Sequence, residues 1–348
     1  MERKLASIKR IDRIEPIEGA DAIELAVVGG WKVVVAKNVG HSEGDLVVYC
    51  EIDSFLPIEP EFEFLRKSSY KKLVDGTEGF RLKTIRLRGQ ISQGLIIPAS
   101  DAHEIIFRNT PNVNVGLFED LDVTDMLGIT KWDPPVPAQL SGTAKGNFPA
   151  FIQKTDEERV QNLNKYYNQW REQDLEFYVT EKLDGSSSTF YFRDGEFGIC
   201  SRNLELTENE DNTFWKVANE LGLREKLTGL GRNLALQGEL IGEGIQKNRY
   251  GIKGHTVRFF NVFDIDKFEK VGWDEFVEIM DQLELQTVPV TAVPGFKLPE
   301  TVTDMIEFAE AKSIMNPKTE REGVVIRSRD NKISFKAISN KFLLKSGD

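Results

Sequence analysis

Between Leu5 and Pro98, apolar and polar positions alternate over short runs: "AIELAVVGGWKVVVAKN", "GDLVVYCEI" and "GFRLKTIRLRGQISQGLIIP". Gly29, Gly30, Gly40, Gly44, Gly79, Gly89 and Gly94 punctuate them. Short strands at this spacing predict a small all-β barrel domain over residues 1–133. "WDPPVPAQLSGTAKGNFPAF" is rich in proline, glycine and small residues, which predicts a linker at 134–150 with no packed element. After it, "KTDEERVQNLNKYYNQWREQ" offers Thr155 and Asp156 as N-caps and spaces Val160, Leu163, Tyr167 and Trp170 along one helical stripe. Strands are expected at 177–182, 188–193, 196–201, 234–241, 257–265, 323–328 and 332–338, with helices near 210–226, 273–285 and 301–315. Over 151–348 this order predicts an α+β domain with largely antiparallel sheets.

Several strands carry chemistry on one face. Along "FYVTEK", Tyr178, Thr180 and Lys182 share one side, and Phe177, Val179 and Glu181 the other. Lys182 thus emerges at a strand end, and Asp184-Gly185 turns the chain. A Lys-x-Asp-Gly tetrapeptide alone is weak, since most lysines are solvated. Glu239 interrupts the otherwise apolar strand "LALQGELIGEG", and "TVRFFNVFDID" is expected to place Phe259, Asn261 and Phe263 on one face as a base-binding wall. Glu322 directly precedes the strand "GVVIRS". In "NKISFKAI", Lys332, Ser334 and Lys336 oppose Ile333, Phe335 and Ala337, so one face packs and the other is cationic.

Composition narrows the classes. The chain has 348 residues, 40% of them hydrophobic, enough for two soluble domains. The two cysteines, Cys50 and Cys200, have no partners at ligand spacing, which predicts neither disulfides nor structural zinc. Without an apolar leader or a long apolar run, an intracellular protein with no membrane partner is expected. A net charge of −11 does not suggest bulk nucleic-acid binding, yet Arg81, Lys83, Arg86 and Arg88 lie in a stretch with no acidic residue. Small β-barrels bind nucleic acid across a strand face, so these four are candidate nucleic-acid contacts; protection of an edge strand is the alternative.

The ordered set Lys182-Leu-Asp184-Gly185, "SRN" with Arg202, "QGEL" with Glu239, "FFNVFDI" with Phe263, "EGVVIR" with Glu322 and "SFK" with Lys336 resembles the motifs of the covalent nucleotidyltransferases. These comprise the ATP- and NAD-dependent ligases and the mRNA-capping guanylyltransferases. With a barrel domain in front, the chain is most similar to ATP-dependent RNA ligases with an N-terminal OB domain. The resemblance implies an ATP-grasp-like α+β nucleotidyltransferase domain after an OB barrel. In DNA ligases and capping enzymes a further OB domain follows the last motif, whereas only twelve residues follow Lys336 here, so the RNA-ligase branch is expected. Alternatives are a DNA ligase, a capping-type nucleotidyltransferase, or a non-catalytic RNA-binding protein, against which the intact motif residues speak.

The resemblance also implies the chemistry. Lys182 attacks the α-phosphorus of ATP to form lysyl-AMP, the AMP passes to a 5′-phosphate, and a 3′-hydroxyl displaces it to seal RNA, in a nicked duplex and in RNA repair. No obligate protein partner is indicated. Asp184 would organise the lysine and the metal, Lys336 would neutralise the α-phosphate, and Phe263 would stack on adenine. Glu239 and Glu322 would serve ribose and a divalent cation, Mg2+ or Mn2+, while Glu181, Gly185, Arg202 and Arg159 would contact the nucleotide. A free lysine is protonated at neutral pH, and burial, Lys336 and the metal are each expected to disfavour its charge. The positions flanking Lys336 on its face are Ser334 and Ile338 rather than a second lysine, and Lys341 is a candidate substitute.

Overall fold

The alternation along Phe177–Lys182 is realised in a five-stranded sheet, in the order Glu158–Arg159, Ser334–Ile338, Gly323–Ser328, Phe177–Lys182, Val290–Phe296. Its pairings are antiparallel except the first, which is parallel. The computed structural model describes residues 4–73, 75–109, 116–132 and 144–346. The chain divides into two units, Val136–Phe342 and Met1–Pro135 with Leu343–Asp348.

In the unit Val136–Phe342, one face of the five-stranded sheet buries Phe177, Val179, Val324, Ile326, Phe335 and Ala337 against the helices Asn164–Glu172 and Val302–Ala309. A seven-stranded sheet runs Ala144–Asn147, Leu204–Leu206, Glu196–Cys200, Ser186–Arg193, Leu234–Gly242, His255–Asp264, Glu269–Lys270. Phe190, Leu236, Leu240 and Phe259 pack from it against the helices Thr213–Glu220, Leu223–Leu230 and Trp273–Gln282. The two remaining faces carry the polar side chains. Gln237 donates to the Gln153 carbonyl (2.7 Å), Asn261 to Gln237 (3.3 Å) and Asn331 to Asn261 (3.0 Å), a ladder from one sheet to a hairpin turn within the other.

The unit Met1–Pro135 with Leu343–Asp348 is strand-rich, as expected. Among the described residues its strands form four small antiparallel sheets, and Ile8, Val48, Leu56, Phe62 and Phe80 share a core with Ile105 and Ile106 of the helix Ala99–Asn109.

Four local expectations are corrected. Within the anticipated linker, 134–143 lie outside the described residues, but Ala144–Asn147 is an edge strand paired with Leu204–Leu206. Thr155 and Asp156 do not cap a helix. Glu158 and Arg159 pair with Phe335 and Lys336 instead, a 3-10 turn follows at Val160–Leu163, and the α-helix begins at Asn164. The 210–226 stretch is two helices, broken by Gly222 at φ 62°. The last predicted helix starts on a Thr301–Asp304 capping box but stops at Ala309, where Arg321 donates to the carbonyls of Phe308 and Ala309.

Phe335 is fully buried and touches Tyr167, Trp170 and Phe177. Phe335→Ala should destabilise this unit by about 3–5 kcal/mol, read by urea unfolding with Trp170, stacked 5.4 Å away, as a fluorescence reporter. Val293→Ala, at a position 66% exposed, should change it by about 0.5 kcal/mol or less.

Candidate active site

Lys182 ends its strand opposite Gly323, the residue after Glu322, so strand register alone brings the amine to that carboxylate. Its Nζ donates to Glu322 Oε1 at 2.7 Å. The turn that follows is held at each residue. Asp184 Oδ2 lies 2.5 Å from Arg249 Nε, the Asp184 N–H donates to Tyr250 Oη (2.6 Å), and the Gly185 N–H donates to Glu239 Oε1 (3.1 Å). Gly185 is needed for close approach: a Cβ there would lie 2.5 Å from the Leu240 carbonyl oxygen and 2.9 Å from Glu239 Cγ. Leu183-Asp184-Gly185 leads directly into Ser186–Arg193, whose Ser187 faces Glu239 across the ladder.

Three carboxylates therefore surround one amine. Burial pushes Glu239 up to about 8, with Glu322 and Asp184 adding to the rise and Lys182 opposing it. Burial likewise raises Asp184 to about 6, Glu322 adds to this, and the Arg249 and Lys182 charges oppose it. Burial works to lower Lys182, but Glu322, Glu239 and Asp184 outweigh it, and the amine is held above its ordinary value. This differs from the sequence expectation. Without an additional positive charge the pocket keeps its lysine protonated.

Lys336 sits on the same sheet face, opposite Val325 and in parallel register with Arg159. Arg159 is buried within that sheet rather than exposed on a helix. Glu181 is not brought to this face. Its carboxylate points to the packed side and accepts from the Ile314 N–H at 2.8 Å. Arg202 is 47% exposed and pairs with Asp156 (2.8 Å), while Lys341, 61% exposed, pairs with Glu310 (3.1 Å).

The base-binding wall is corrected. A register shift pairs Gly238 with Phe259 and Gln237 with Asn261, leaving Phe260 as the extra residue of a β-bulge. Phe259 turns into the helix-covered core, and Phe263 is fully buried with Ile152, Tyr191 and Cys200. The partly exposed ring is Phe260, 5.7 Å from the Arg327 guanidinium, which itself donates to Thr180 Oγ1 at 3.0 Å. The adjacent pair Phe259-Phe260 was the available signal, since alternation sends neighbouring rings to opposite faces and only one of them can join the helix-covered core. Arg249 and Tyr250 were also missed. Their signal was a Gly-punctuated turn between two buried strands.

In the other unit, Arg81 lies over the Trp132 ring (4.9 Å) and Lys83 is partly buried. Arg86 and Arg88 are exposed on the hairpin made by Thr84–Leu87 and Gln90–Gln93. The four cations are thus spread over two strands, the segment between them and a turn.

Among the described residues, no three His, Cys, Asp or Glu side chains are close enough to hold a metal ion together. Yet Glu322 Oε2 is buried with no hydrogen-bond donor, an open acceptor beside the acidic pair Glu239 and Asp184. This all-oxygen set fits a hard cation that takes its other ligands from water and phosphate. No described helix is long and apolar enough to cross a membrane.

Residues 5–99 match a family model described as an OB-fold domain, and residues 175–345 match the RNA ligase family model. No curated protein matches the chain. Solved structures of Naegleria gruberi RNA ligase are similar over nearly their whole length. An unliganded mutant is 42% identical with a TM-score of 0.89, covering 98% of this chain and 97% of that one. The form with pyrophosphate is 42% identical with a TM-score of 0.88, covering 98% of each. A mutant with ATP and Mn is 41% identical with a TM-score of 0.89, covering 99% of this chain and 100% of that one.

The raised carboxyls give a sign for pH. Glu239 and Asp184 bind protons more tightly when folded, so stability falls as pH rises from their ordinary values through about 6 and about 8. The unliganded protein should therefore melt at lower temperature at pH 9 than at pH 6. Glu239→Gln, which keeps the acceptor for Gly185, should flatten this slope and raise the pH 9 midpoint by several degrees in calorimetry.

Proposed function

The chain belongs to the RNA ligase family and is an ATP-dependent RNA ligase; from this premise we propose that it joins 3′-hydroxyl to 5′-phosphate ends in nicked RNA duplexes, as a step of RNA repair, with Lys182 as nucleophile. One observation carries the assignment: the Nζ of Lys182 is held 2.7 Å from Glu322 within a ring of three carboxylates at the meeting point of two sheets.

The residues divide the work by position. The Nζ–H···Oε1 bond to Glu322 aims the amine and is the path by which its proton leaves. Nζ then forms a bond to the α-phosphorus of ATP as the bond to pyrophosphate breaks, leaving lysyl-AMP. The AMP passes to a 5′-phosphate, and a 3′-hydroxyl attacks that phosphorus and expels AMP. Lys336 and Arg159, neighbours in register, neutralise the phosphates. Gly185 and Arg202 border the nucleotide, and Glu181 contributes through its backbone, since its carboxylate faces away. Phe260 takes the stacking role that the motif pattern assigned to Phe263. Glu239 and Glu322 would hold a divalent cation, Mg2+ or Mn2+, which would supply positive charge that favours a neutral amine and offsets charge on the α-phosphate. Arg86 and Arg88, on an exposed hairpin that carries no aromatic ring, suit phosphate contacts along a duplex rather than base stacking.

Incubation with α-labelled ATP and magnesium should label the wild type covalently and leave Lys182→Ala unlabelled. A labelled Lys182→Ala protein would falsify the nucleophile assignment. Phe260→Ala should raise the half-saturating ATP concentration about tenfold or more. Arg86→Ala with Arg88→Ala should weaken RNA binding most at low salt and lessen the salt slope by about 1 per lost contact, with lysyl-AMP formation unchanged. A slope equal to wild type would remove the hairpin from the RNA interface.

A further inference from the structure

The turn carrying the nucleophile is clamped from both faces of its strand, and the clamp closes on itself. On the packed face, Glu181 Oε2 accepts from the Ile314 N–H (2.8 Å). Two residues on in that loop, Asn316 Nδ2 donates to the Arg249 carbonyl (2.8 Å). Arg249 returns to the strand through its 2.5 Å ion pair with Asp184, while Tyr250 Oη accepts the Asp184 N–H. The guanidinium also lies 4.6 Å over the Phe342 ring, so its stem is fixed on two sides.

The segment bearing Arg249 and Tyr250 is built to hold one shape. Gln246, Lys247 and Asn248 occupy left-handed backbone at φ 41°, 59° and 46°, which non-glycine residues rarely adopt. Asn248 bonds both the N–H (3.0 Å) and the carbonyl (2.8 Å) of Ile252, closing the loop. Such a loop can transmit position with little slack.

We propose that Arg249 is a positioning residue for the ligase reaction: through Asp184 it fixes the turn that presents Lys182, with Tyr250 setting the height of that turn and Glu181–Ile314 and Asn316 bracing it from behind. Lys182 reaches its target on a flexible four-carbon stem, so the backbone at its root decides where the amine points. A displacement of about 1 Å in a reacting group can cost about 100-fold in rate.

The inference rests on the ligase reading above, and its test separates the two. Single-turnover lysyl-AMP formation is measured at varied ATP for wild type, Arg249→Met, Arg249→Lys and Tyr250→Phe, with melting temperatures alongside. The expected result is a rate about 100-fold lower in Arg249→Met with half-saturating ATP within about threefold of wild type, recovery of tenfold or more in Arg249→Lys, and about tenfold slowing in Tyr250→Phe. Three results overturn it: Arg249→Met within threefold of wild type, an effect confined to ATP half-saturation, or Arg249→Lys as slow as Arg249→Met. Should Arg249→Met prove unfolded, Tyr250→Phe decides, and a wild-type rate there overturns the clamp. A wild-type chain that forms no lysyl-AMP at all overturns the ligase reading instead.

Discussion

The ion pair between Lys182 and Glu322 is the constraint on which the rest of the site depends. Asp184 and Glu239 stand beside it, and Arg249 is ion-paired to Asp184. Burial pushes Glu239 up to about 8, favouring its protonated form and bringing the charge around Lys182 and Arg249 nearer to balance. That balance has a price in reactivity. A lysine kept above its ordinary pKa among carboxylates is a poor nucleophile, and releasing its proton uncompensated would leave excess negative charge in a partly buried site. A divalent cation held by Glu239 and Glu322 would favour both the neutral amine and the ionised carboxyl. From sequence, burial, Lys336 and a metal were each expected to disfavour the lysine's charge; burial is the largest single effect on Lys182, but the three carboxylates together outweigh it.

Assembling such a pocket requires two sheets whose strand ends meet. Each sheet satisfies the hydrophobic effect on one side, with helices over Phe177, Val179 and Phe335 in one and over Leu236, Leu240 and Phe259 in the other. The opposed sides cannot both be apolar and still host charge. They are joined by directional bonds, the Gln153–Gln237–Asn261–Asn331 ladder and the Arg327–Thr180 contact. Buried polar groups cost free energy unless paired, so these bonds also select one relative placement of the strands. Lys270 and Glu157, 3.3 Å apart and each about 10% exposed, add a shielded ion pair to the same region.

Much of this could be read along the chain because strand alternation is a local property. The faces of Phe177–Lys182 and Ser334–Ile338 followed from period two, and the register between them carries Lys182 to Glu322 and Lys336 to Arg159. What failed was non-local or exceptional. The bulge at Phe260 shifts register within one strand, so Phe259 turns away from the face that carries Asn261 and Phe263. The helix after Arg159 starts late because a two-residue strand finds a partner more than 170 residues away. Arg249 shows no periodic signature, since its importance lies in what the turn places beside it.

Glu181 and Lys182 show why adjacency in sequence says little about shared chemistry. Consecutive strand residues point to opposite faces, so the carboxylate nearest Lys182 in sequence is absent from its pocket, while the carboxylate that touches it comes from 140 residues away. The separation is useful mechanically. Another glutamate in the pocket would add to its negative charge, whereas on the packed face it accepts the Ile314 N–H and anchors the loop that braces Arg249. One strand end thereby supplies a reactive group to one face and its support to the other, and the geometry of the amine depends on both.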